Sequence, residues 1–386
     1  MFNKLFITSH EKLVSFIRSA YALTISAVIS AAVLTGCGAA DTIDTDSAAN
    51  SVTSETTSDI SSDTSSSEDA DSSELTLSSD DSIEIYDDPE DIAEYATKIA
   101  ALKGPTAMGL APLMDKSDNA ESDGLYSFQL EAAPDAIAPL IAKKDVDIAC
   151  VPANLASVLY NSTEGQIQVL AVNTLGVLYM VSNGEDVSSV HDLKGKTIYA
   201  SGKGATPEYT LDYILSKNGL DPDRDVTIEW KSEHAECVAA IAKNGGIAML
   251  PQPFVTAAML QNDKIKTVLD LTEEWKKVSD GHELIMGVVI ARRDYAENNK
   301  DTVDDFLREY KDSVDFVNSN ADKASELIGK YDIVPAPVAK KAIPECNITF
   351  IDGDQMKTEL SAYLKTLYDA DPKAVGGALP GDDFYY

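Results

Sequence analysis

The stretch VDIACVPANLASVLYN, residues 146–161, decides the fold class. It begins with a short, mostly apolar run typical of a buried β-strand, and a proline turn and a helical segment follow directly. A strand that is apolar along most of its length must be covered on both faces, and helices that follow each strand provide that cover. The stretch therefore predicts one strand–turn–helix unit of a parallel sheet.

The same unit recurs along the rest of the chain. Apolar runs precede helical segments in TKIAAL–KGPTAMGLAPLM, LYSFQLEA–APDAIAPLIAKK, KTIYAS–TPEYTLDYILSKNG, VTIEW–SEHAECVAAIAKN and GIAML–PQPFVTAAMLQN. Two more runs, QIQVLAVN and GVLYMVS, follow each other without a helix between them. This alternation predicts an α/β protein with parallel sheets covered by helices. About 290 residues are available for it, which is enough for two lobes with separate cores.

Helix ends carry local signals of their own. Thr206 precedes Pro207, which predicts Thr206 as the N-cap and Pro207 as the first helical residue. Gly219 follows LSKN and predicts a left-handed residue just after that helix. One long amphipathic helix is predicted near residues 301–320 by apolar residues at helical spacing: Val303, Phe306, Leu307, Tyr310, Val314 and Val317.

An apolar run near the N-terminus stops at a cysteine. Lys4, Lys12 and Arg18 precede the run AYALTISAVISAAV, which is too short to span a bilayer comfortably, and LTGC ends it at Cys37. LTGC resembles the lipobox of bacterial lipoproteins, in which the cysteine is lipidated and the preceding peptide is removed. The resemblance implies a signal peptide over residues 1–36, a lipid anchor on Cys37 and an extracytoplasmic location on a bacterial membrane. The alternative is a membrane-anchored stub with an incidental thiol.

Acidic residues dominate the composition. The chain has 64 Asp and Glu against 31 Lys and Arg, a formal net charge of −33. Residues 37–92 consist largely of Ser, Thr, Asp and Glu, and low hydrophobicity with high charge predicts a disordered tether after the lipidated cysteine. Nucleic-acid phosphates and anionic headgroups repel such a chain, so we expect no nucleic-acid partner. The lipid on Cys37, and not surface charge, would hold the protein at the membrane.

Cysteine and histidine spacing indicates neither a metal site nor a catalytic constellation. Cys150, Cys237 and Cys346 form no C-x-x-C pair, so we expect small buried residues, with one disulfide as the alternative. The histidines lie in separate segments without a paired serine and aspartate. The glycines and lysine of SGKGAT lack the spacing of a nucleotide-binding P-loop. We therefore expect no cofactor and no metal.

The turns after the predicted strands contain small, neutral, hydrogen-bonding residues. In open α/β sheets a ligand binds beyond the carboxyl ends of the strands. The turns at those ends are GPTAMG (104–109), VPAN (151–154), NTLG (173–176), SGKGATPE (201–208), SEHAE (232–236) and LPQPF (250–254). Lys203 is the only lysine or arginine in them, and we expect it to be solvated. A strongly anionic ligand would therefore rely on helix N-termini.

Three segments together resemble a known family. DLKGKTIYASGKGATPEYTLDYIL, GIAMLPQPF and GVVIARRDYAENNKDTVDDFLREY resemble the substrate-binding lipoproteins of ABC importers, nearest to the group associated with nitrate, taurine, sulfonate and thiamine-precursor uptake. The resemblance covers about residues 97–386. It implies a type II periplasmic-binding-protein fold, in which two α/β lobes joined by two crossovers hold the ligand in a cleft. Residues 93–198 would begin lobe 1, residues 199–285 would form lobe 2, and residues 286–386 would return to lobe 1.

The resemblance also implies which residues bind the ligand. The residues that would line the cleft are Thr106, Asn154 and Asn173 or Thr174 in lobe 1, and Ser201, Thr206, His234 and Gln252 in lobe 2. Relatives often have Glu at the position of Gln252, so its neutral side chain disfavours a cationic ligand. Two alternatives stay open: His234 and Glu233 would cap the following helix, and Trp230 would either stack on a ligand ring or pack between the lobes.

The implied function is capture of a small molecule by closing lobes and its delivery to an ABC permease with its ATPase. No bond is made or broken in that function, so we expect no enzymatic activity. The neutral lining favours a small polar or heteroaromatic solute. One alternative is an enzyme on the same scaffold, such as the thiamine-pyrimidine synthases of fungi, whose cysteine-rich motif this sequence lacks. The other is a surface sensor or interaction module that signals without transport.

Overall fold

The computed structural model describes residues 95–386, which belong to one compact unit. The predicted signal peptide, the lipidated cysteine and the acidic tether lie outside the described residues. Over the described range, none of the helices combines the length and the hydrophobicity that crossing a bilayer requires.

The strands form two separate sheets. In chain order they are β1 (Thr97–Leu102), β2 (Tyr126–Glu131), β3 (Ile148–Pro152), β4 (Ile167–Leu175), β5 (Leu178–Asn183), β6 (Thr197–Ser201), β7 (Thr227–Lys231), β8 (Gly246–Pro251), β9 (Lys266–Asp270), β10 (Ile285–Arg292) and β11 (Ile348–Ile351). The first sheet has the order β11-β4-β10-β3-β1-β2, and the second has the order β7-β6-β8-β5-β9. Strand β10 runs antiparallel to β3 and β4, β11 runs antiparallel to β4, and β5 runs antiparallel to β8 and β9. The remaining pairs are parallel, which confirms the α/β class and makes both sheets mixed.

Helices follow most strands, as the repeated units predict. The α-helices of the described residues are α1 (Pro105–Met108), α2 (Ala111–Asp118), α3 (Pro134–Ala142), α4 (Ala153–Ser162), α5 (Thr206–Lys217), α6 (His234–Asn244), α7 (Phe254–Gln261), α8 (Leu271–Val278), α9 (Arg293–Asn298), α10 (Lys300–Ser319), α11 (Ala321–Lys330), α12 (Ala336–Ala342) and α13 (Gly353–Ala370). Strand β3 is buried along its length and leads directly into α4. The stretch that decides the fold class therefore forms the unit it predicts.

The chain changes sheets at the pair of adjacent apolar runs. Strand β4 ends at Leu175 and β5 begins at Leu178 in the other sheet. A Cβ atom on Gly176 would come 2.1 Å from Thr272 Oγ1, so this crossover requires glycine. The second sheet consequently includes β5, which lies before the expected start of lobe 2 at residue 199, and β6, which spans that residue. Sequence pattern does not distinguish a crossover between sheets from a turn within one sheet.

Of the three predictions about helices, the Gly219 exit and the amphipathic helix agree with the structure. Gly219 has φ +76°, the left-handed conformation expected after α5. Helix α10 buries Val303, Phe306 and Tyr310 along one face, as the apolar stripe predicts. The N-cap prediction is wrong by one residue: Ala205 is the N-cap, Thr206 is the first helical residue, and no side chain caps the helix. The reason is that the Thr206 hydroxyl makes a tertiary contact, described below.

Apolar packing continues from one lobe to the other. Helix α13 packs on β4 and α4 of the first lobe and on α5 of the second. Tyr363 of α13 also packs against Trp275 of α8, and their ring centroids lie 5.5 Å apart. All three cysteines of the described residues are buried and free, which confirms that they act as small buried residues and not as a disulfide.

Candidate functional site

The carboxyl edges of the two sheets meet at the crossover between β4 and β5. Leu178, the first residue of β5, pairs with Pro251, the last residue of β8. The backbone N–H of Gln252 then donates to the carbonyl of Val177 over 2.9 Å. The end of β4 in the first sheet and the end of β8 in the second are therefore held on opposite sides of one short connection. This is the edge at which open α/β sheets bind ligands.

Two predicted residues form a direct hydrogen bond between the lobes. Thr206 Oγ1, at the start of α5, donates to Asn154 Oδ1, at the start of α4, over 2.9 Å. Asn154 Nδ2 donates to the carbonyl of Ala374 over 3.3 Å. Both side chains are buried. The two helix starts are therefore in contact, and the polar groups of Asn154 and Thr206 satisfy each other.

Three predicted residues of the first lobe form a second polar group. Asn173 Nδ2 donates to the backbone carbonyl of Thr106 over 3.3 Å, and Thr174 Oγ1 donates to Asn173 Oδ1 over 3.1 Å. Asn173 and Thr174 are fully buried at the end of β4, whereas Thr106 is half-buried. Burial raises the pKa of the Cys150 thiol to about 12, and a hydrogen bond with the Asn173 side chain opposes that rise. Asn173 thus lies on the inner side of the edge and supports Thr106.

Two predicted residues of the second lobe form a third group. Ser201 Oγ and His234 Nδ1 lie 2.5 Å apart, and the His234 ring packs against Phe254 with a centroid distance of 4.9 Å. Burial lowers the pKa of His234 to about 4. The imidazole is therefore neutral at physiological pH, with one nitrogen as donor and the other as acceptor.

Gln252 lies at the carboxyl end of β8 and is buried. Its Oε1 accepts hydrogen bonds from the backbone N–H of Thr256 over 3.2 Å and from the Thr256 hydroxyl over 2.8 Å. Among the described residues, neither bond joins Gln252 to another predicted site residue. The side-chain carbonyl is thus occupied by the first turn of α7, and these two bonds do not use the side-chain N–H groups of Gln252.

The structure decides between the alternative roles of Glu233, Lys203 and Trp230. Glu233 is the N-cap residue of α6, but its side chain makes no capping hydrogen bond, so the helix-capping alternative is wrong. Lys203 is exposed, as predicted. Trp230 is half-buried and packs against the large apolar cluster, which favours packing over the stacking alternative.

Sequence reasoning missed two residues beside the site. Phe254 belongs to the quoted turn LPQPF, but nothing in that turn links it to His234. A Cβ atom on Gly287, near the start of β10, would come within 2.6 Å of both Asn173 Oδ1 and Thr106 Cγ2. The segment GVVIARRDYAENNK begins with this glycine, and that was the only available signal.

Several helices begin at this edge without a side-chain cap. Helices α3, α4, α5 and α6 each follow a strand end or a short turn, and none has a capping side chain at its N-terminus. The first N–H groups of a helix carry a partial positive charge and lack intrahelical acceptors. Asp135, Glu208 and Glu236 lie in the first turns of α3, α5 and α6, so the start of α4 is the one best suited to an anionic group.

A cavity of about 140 Å³ lies beside the crossovers and contains none of the eight predicted residues. Its lining residues are Leu175, Tyr179, Asp270, Thr272, Glu273, Lys276, Glu283, Glu345 and Asn347. Four carboxyl groups against one lysine disfavour an anion there. In the part of the chain that the structure describes, no group of three His, Cys, Asp or Glu side chains has the geometry of a metal site.

Comparisons with known proteins agree with this architecture. The NMT1/THI5-like family model matches residues 129–324. A crystal structure described as an ABC transporter from Parabacteroides distasonis superposes with a TM-score of 0.65 at 21% identity, covering 76% of this chain and 99% of that one. The periplasmic aliphatic sulphonate binding protein of Escherichia coli superposes with a TM-score of 0.61 at 18% identity, covering 76% and 92%. No curated protein sequence matches the chain. The fold is that of periplasmic binding proteins.

Proposed function

Because the chain belongs to the NMT1/THI5-like family and has the fold of periplasmic binding proteins, we propose that it is an extracytoplasmic solute-binding protein of an ABC importer. It captures a small molecule between its two lobes and delivers it to a membrane permease that is driven by a cytoplasmic ATPase. It carries out no chemical step.

The observation that carries this proposal is the hydrogen bond from Thr206 to Asn154. It joins the first turn of a helix in one lobe to the first turn of a helix in the other. Polar side chains from both lobes therefore meet at the edge where α/β sheets bind ligands. Thr106, His234 and Gln252 follow the ends of strands beside this contact and are our candidates for solute contact, and Ser201 lies behind His234.

The solute we propose is a small molecule with an anionic or strongly hydrogen-bond-accepting group. The start of α4 supports this choice, because it has neither a capping side chain nor an acidic residue in its first turn and offers a favourable dipole. None of the eight predicted site residues has a carboxylate that would pair with a cation. The sulphonate bound by the structural relative from Escherichia coli belongs to the same chemical class.

We also propose that the protein is lipidated on Cys37 and that residues 37–92 tether the binding lobes to the membrane. The basis is the LTGC motif and the acidic, apolar-poor composition after it. Mass spectrometry of the membrane fraction tests the anchor. A Cys37→Ser variant should lose the lipid mass and appear in the soluble fraction, and an unmodified Cys37 in the wild type would refute the anchor.

The experiment that tests the function is native mass spectrometry followed by a ligand-screening melt. We expect a co-purified small molecule, or a rise in the melting temperature with at least one of nitrate, short sulfonates, pyrimidines or amino acids. If no small molecule co-purifies and none of these compounds raises the melting temperature, solute binding is contradicted. Conversion of a bound compound to a product would instead favour an enzyme on this scaffold.

A further inference from the structure

Ser201 and His234 meet at the carboxyl edge of the second sheet. Ser201 is the last residue of β6, His234 is the first residue of α6, and β6 lies parallel to β7, with Ser201 beside Lys231. The Ser201 side chain is almost completely buried. Its hydroxyl lies 2.5 Å from His234 Nδ1, and the Cys237 side chain also lies within hydrogen-bonding reach of it.

This contact fixes the imidazole tautomer. If Nδ1 carried the proton and donated it to Ser201, the buried serine hydroxyl would have to give its own proton to the Cys237 sulfur, a weak acceptor. If Ser201 donates to Nδ1, the hydroxyl proton is satisfied and the ring proton lies on Nε2. The second arrangement gives the serine proton the stronger of the two acceptors, so the ring is the Nε2–H tautomer.

Cys237 supports the same arrangement. It lies three residues after His234, so both side chains project from the same face of α6 towards Ser201. Burial raises the pKa of the Cys237 thiol, and the Ser201 side chain acts against that rise. The thiol therefore stays protonated at neutral pH, and its sulfur is only a weak acceptor for the Ser201 proton, which leaves that proton for the histidine.

The other side of the ring is open. Phe254 packs against the imidazole with an interplanar angle of 50° and limits its rotation. No hydrogen bond to Nε2 is present among the described residues, and Nε2 is not one of their fully buried, unpaired polar atoms. It is therefore accessible to a solute at the lobe edge.

We propose that His234 donates a hydrogen bond from Nε2 to an acceptor oxygen on a small anionic solute, and that Ser201 is the positioning residue that holds the required tautomer. This inference rests on the proposed function and narrows it. A fixed N–H group donates to sulfonate, carboxylate or nitrate oxygens, but offers nothing to an ammonium group. By holding this tautomer, the buried Ser201 makes His234 a donor that favours anionic oxygens over amines.

Nitrogen-15 NMR of the full-length protein with labelled histidines tests the tautomer without any ligand. We expect the wild-type His234 signals to be those of a neutral ring protonated at Nε2. In Ser201→Ala the signals should move towards a mixture of both tautomers, because the constraint is gone. A wild-type ring protonated at Nδ1, or an unchanged tautomer in Ser201→Ala, would overturn the inference.

Calorimetric titration with ethanesulfonate tests the donor. A glutamine amide reaches about as far as Nε2, whereas an asparagine amide reaches only about as far as Nδ1. We therefore expect His234→Gln to keep the affinity within about threefold and His234→Asn to lose about tenfold or more. Equal losses in both variants, with melting temperatures matched to the wild type, would overturn the donor role. Absence of any ethanesulfonate binding by the wild type would count against the proposed solute class, and the NMR result alone would then decide the tautomer.

Discussion

Thr206 Oγ1 lies 2.9 Å from Asn154 Oδ1, and this single hydrogen bond connects the helix starts of the two lobes. Thr206 takes part in it because its hydroxyl does not cap its own helix. The bond is buried, so each partner depends on the other for satisfaction. The change in the free energy of unfolding when this bond is removed reports how much this contact contributes.

Thr206→Val should lower the free energy of unfolding by about 1–2 kcal/mol, because Asn154 Oδ1 is left buried and unpaired. The matched control is Thr210→Val, one turn further along α5. Thr210 is fully buried, and its hydroxyl faces the Tyr363 side chain without making a well-formed hydrogen bond, so its removal should cost less than removal of the Thr206 hydroxyl. Urea denaturation measures both variants. Equal effects of the two substitutions would mean that the contact between the lobes contributes nothing.

Gly287→Ala should disturb the first-lobe group without unfolding the sheet. The new Cβ would come within 2.6 Å of Thr106 Cγ2 and Asn173 Oδ1, so both side chains must move. We expect a stability loss of about 1–2 kcal/mol and a clear loss of affinity for the solute identified by native mass spectrometry.

The control for crowding alone is Gly329→Ala in the outer helix α11. A Cβ at that position would lie 2.9 Å from Ala336 Cβ, away from the site residues. Its stability loss should be comparable, with affinity unchanged. If Gly329→Ala weakens binding as much as Gly287→Ala does, the position of Thr106 does not determine the binding affinity.

Asp212 should make the protein less stable as the pH rises. Burial, together with the nearby carboxylates of Glu208 and Asp223, raises the pKa of Asp212 to about 6. The folded-state pKa thus lies above the unfolded value of about 3.9, so the folded state binds the proton more tightly. Stability is lost as the pH rises from about 4 to 6. Asp212→Asn should therefore stabilise the protein at pH 7.5 by about 1 kcal/mol, a value reduced for partial solvent screening, and should have little effect at pH 4.

Asp192 should behave in the opposite sense. Hydrogen bonds from Ser188 and Ser189 lower the pKa of Asp192 to about 2, so the folded state favours the charged carboxylate. Its contribution is present above the unfolded pKa and is lost as the pH falls towards 2. Asp192→Asn should destabilise the protein at neutral pH and lose that effect in acid. Thermal melts across the pH range check both aspartates, and a shared sign would contradict the assigned causes.

Local signals account for what could be predicted from the sequence. The unit around β3 and α4 carries its own apolar run and turn, and α10 carries an apolar stripe that its buried face matches. The sheet change at Gly176 could not be predicted, because a short turn between two apolar runs has the same pattern whether or not the next strand joins the same sheet. The expected lobe boundary therefore differs from the observed change of sheet at this crossover.

Long-range contacts account for the rest. Ser201 and His234 are 33 positions apart, and Asn154 and Thr206 are 52 apart. The turn residues themselves are visible in the sequence, but which of them pair depends on how the strand ends are arranged in space. Thr206 illustrates the point: Thr-Pro is a good local capping signal, yet the contact with Asn154 uses the hydroxyl instead.

The central claim is that both lobes contribute to one solute site, and titration calorimetry with one variant in each lobe tests it most directly. Thr106→Val alters the first lobe and Gln252→Leu alters the second, and the titrant is the solute found by native mass spectrometry. We predict that each substitution weakens binding about tenfold, since each removes a hydrogen-bonding group at the facing edges. Wild-type affinity in both variants, with both proteins folded, would contradict a site between the lobes.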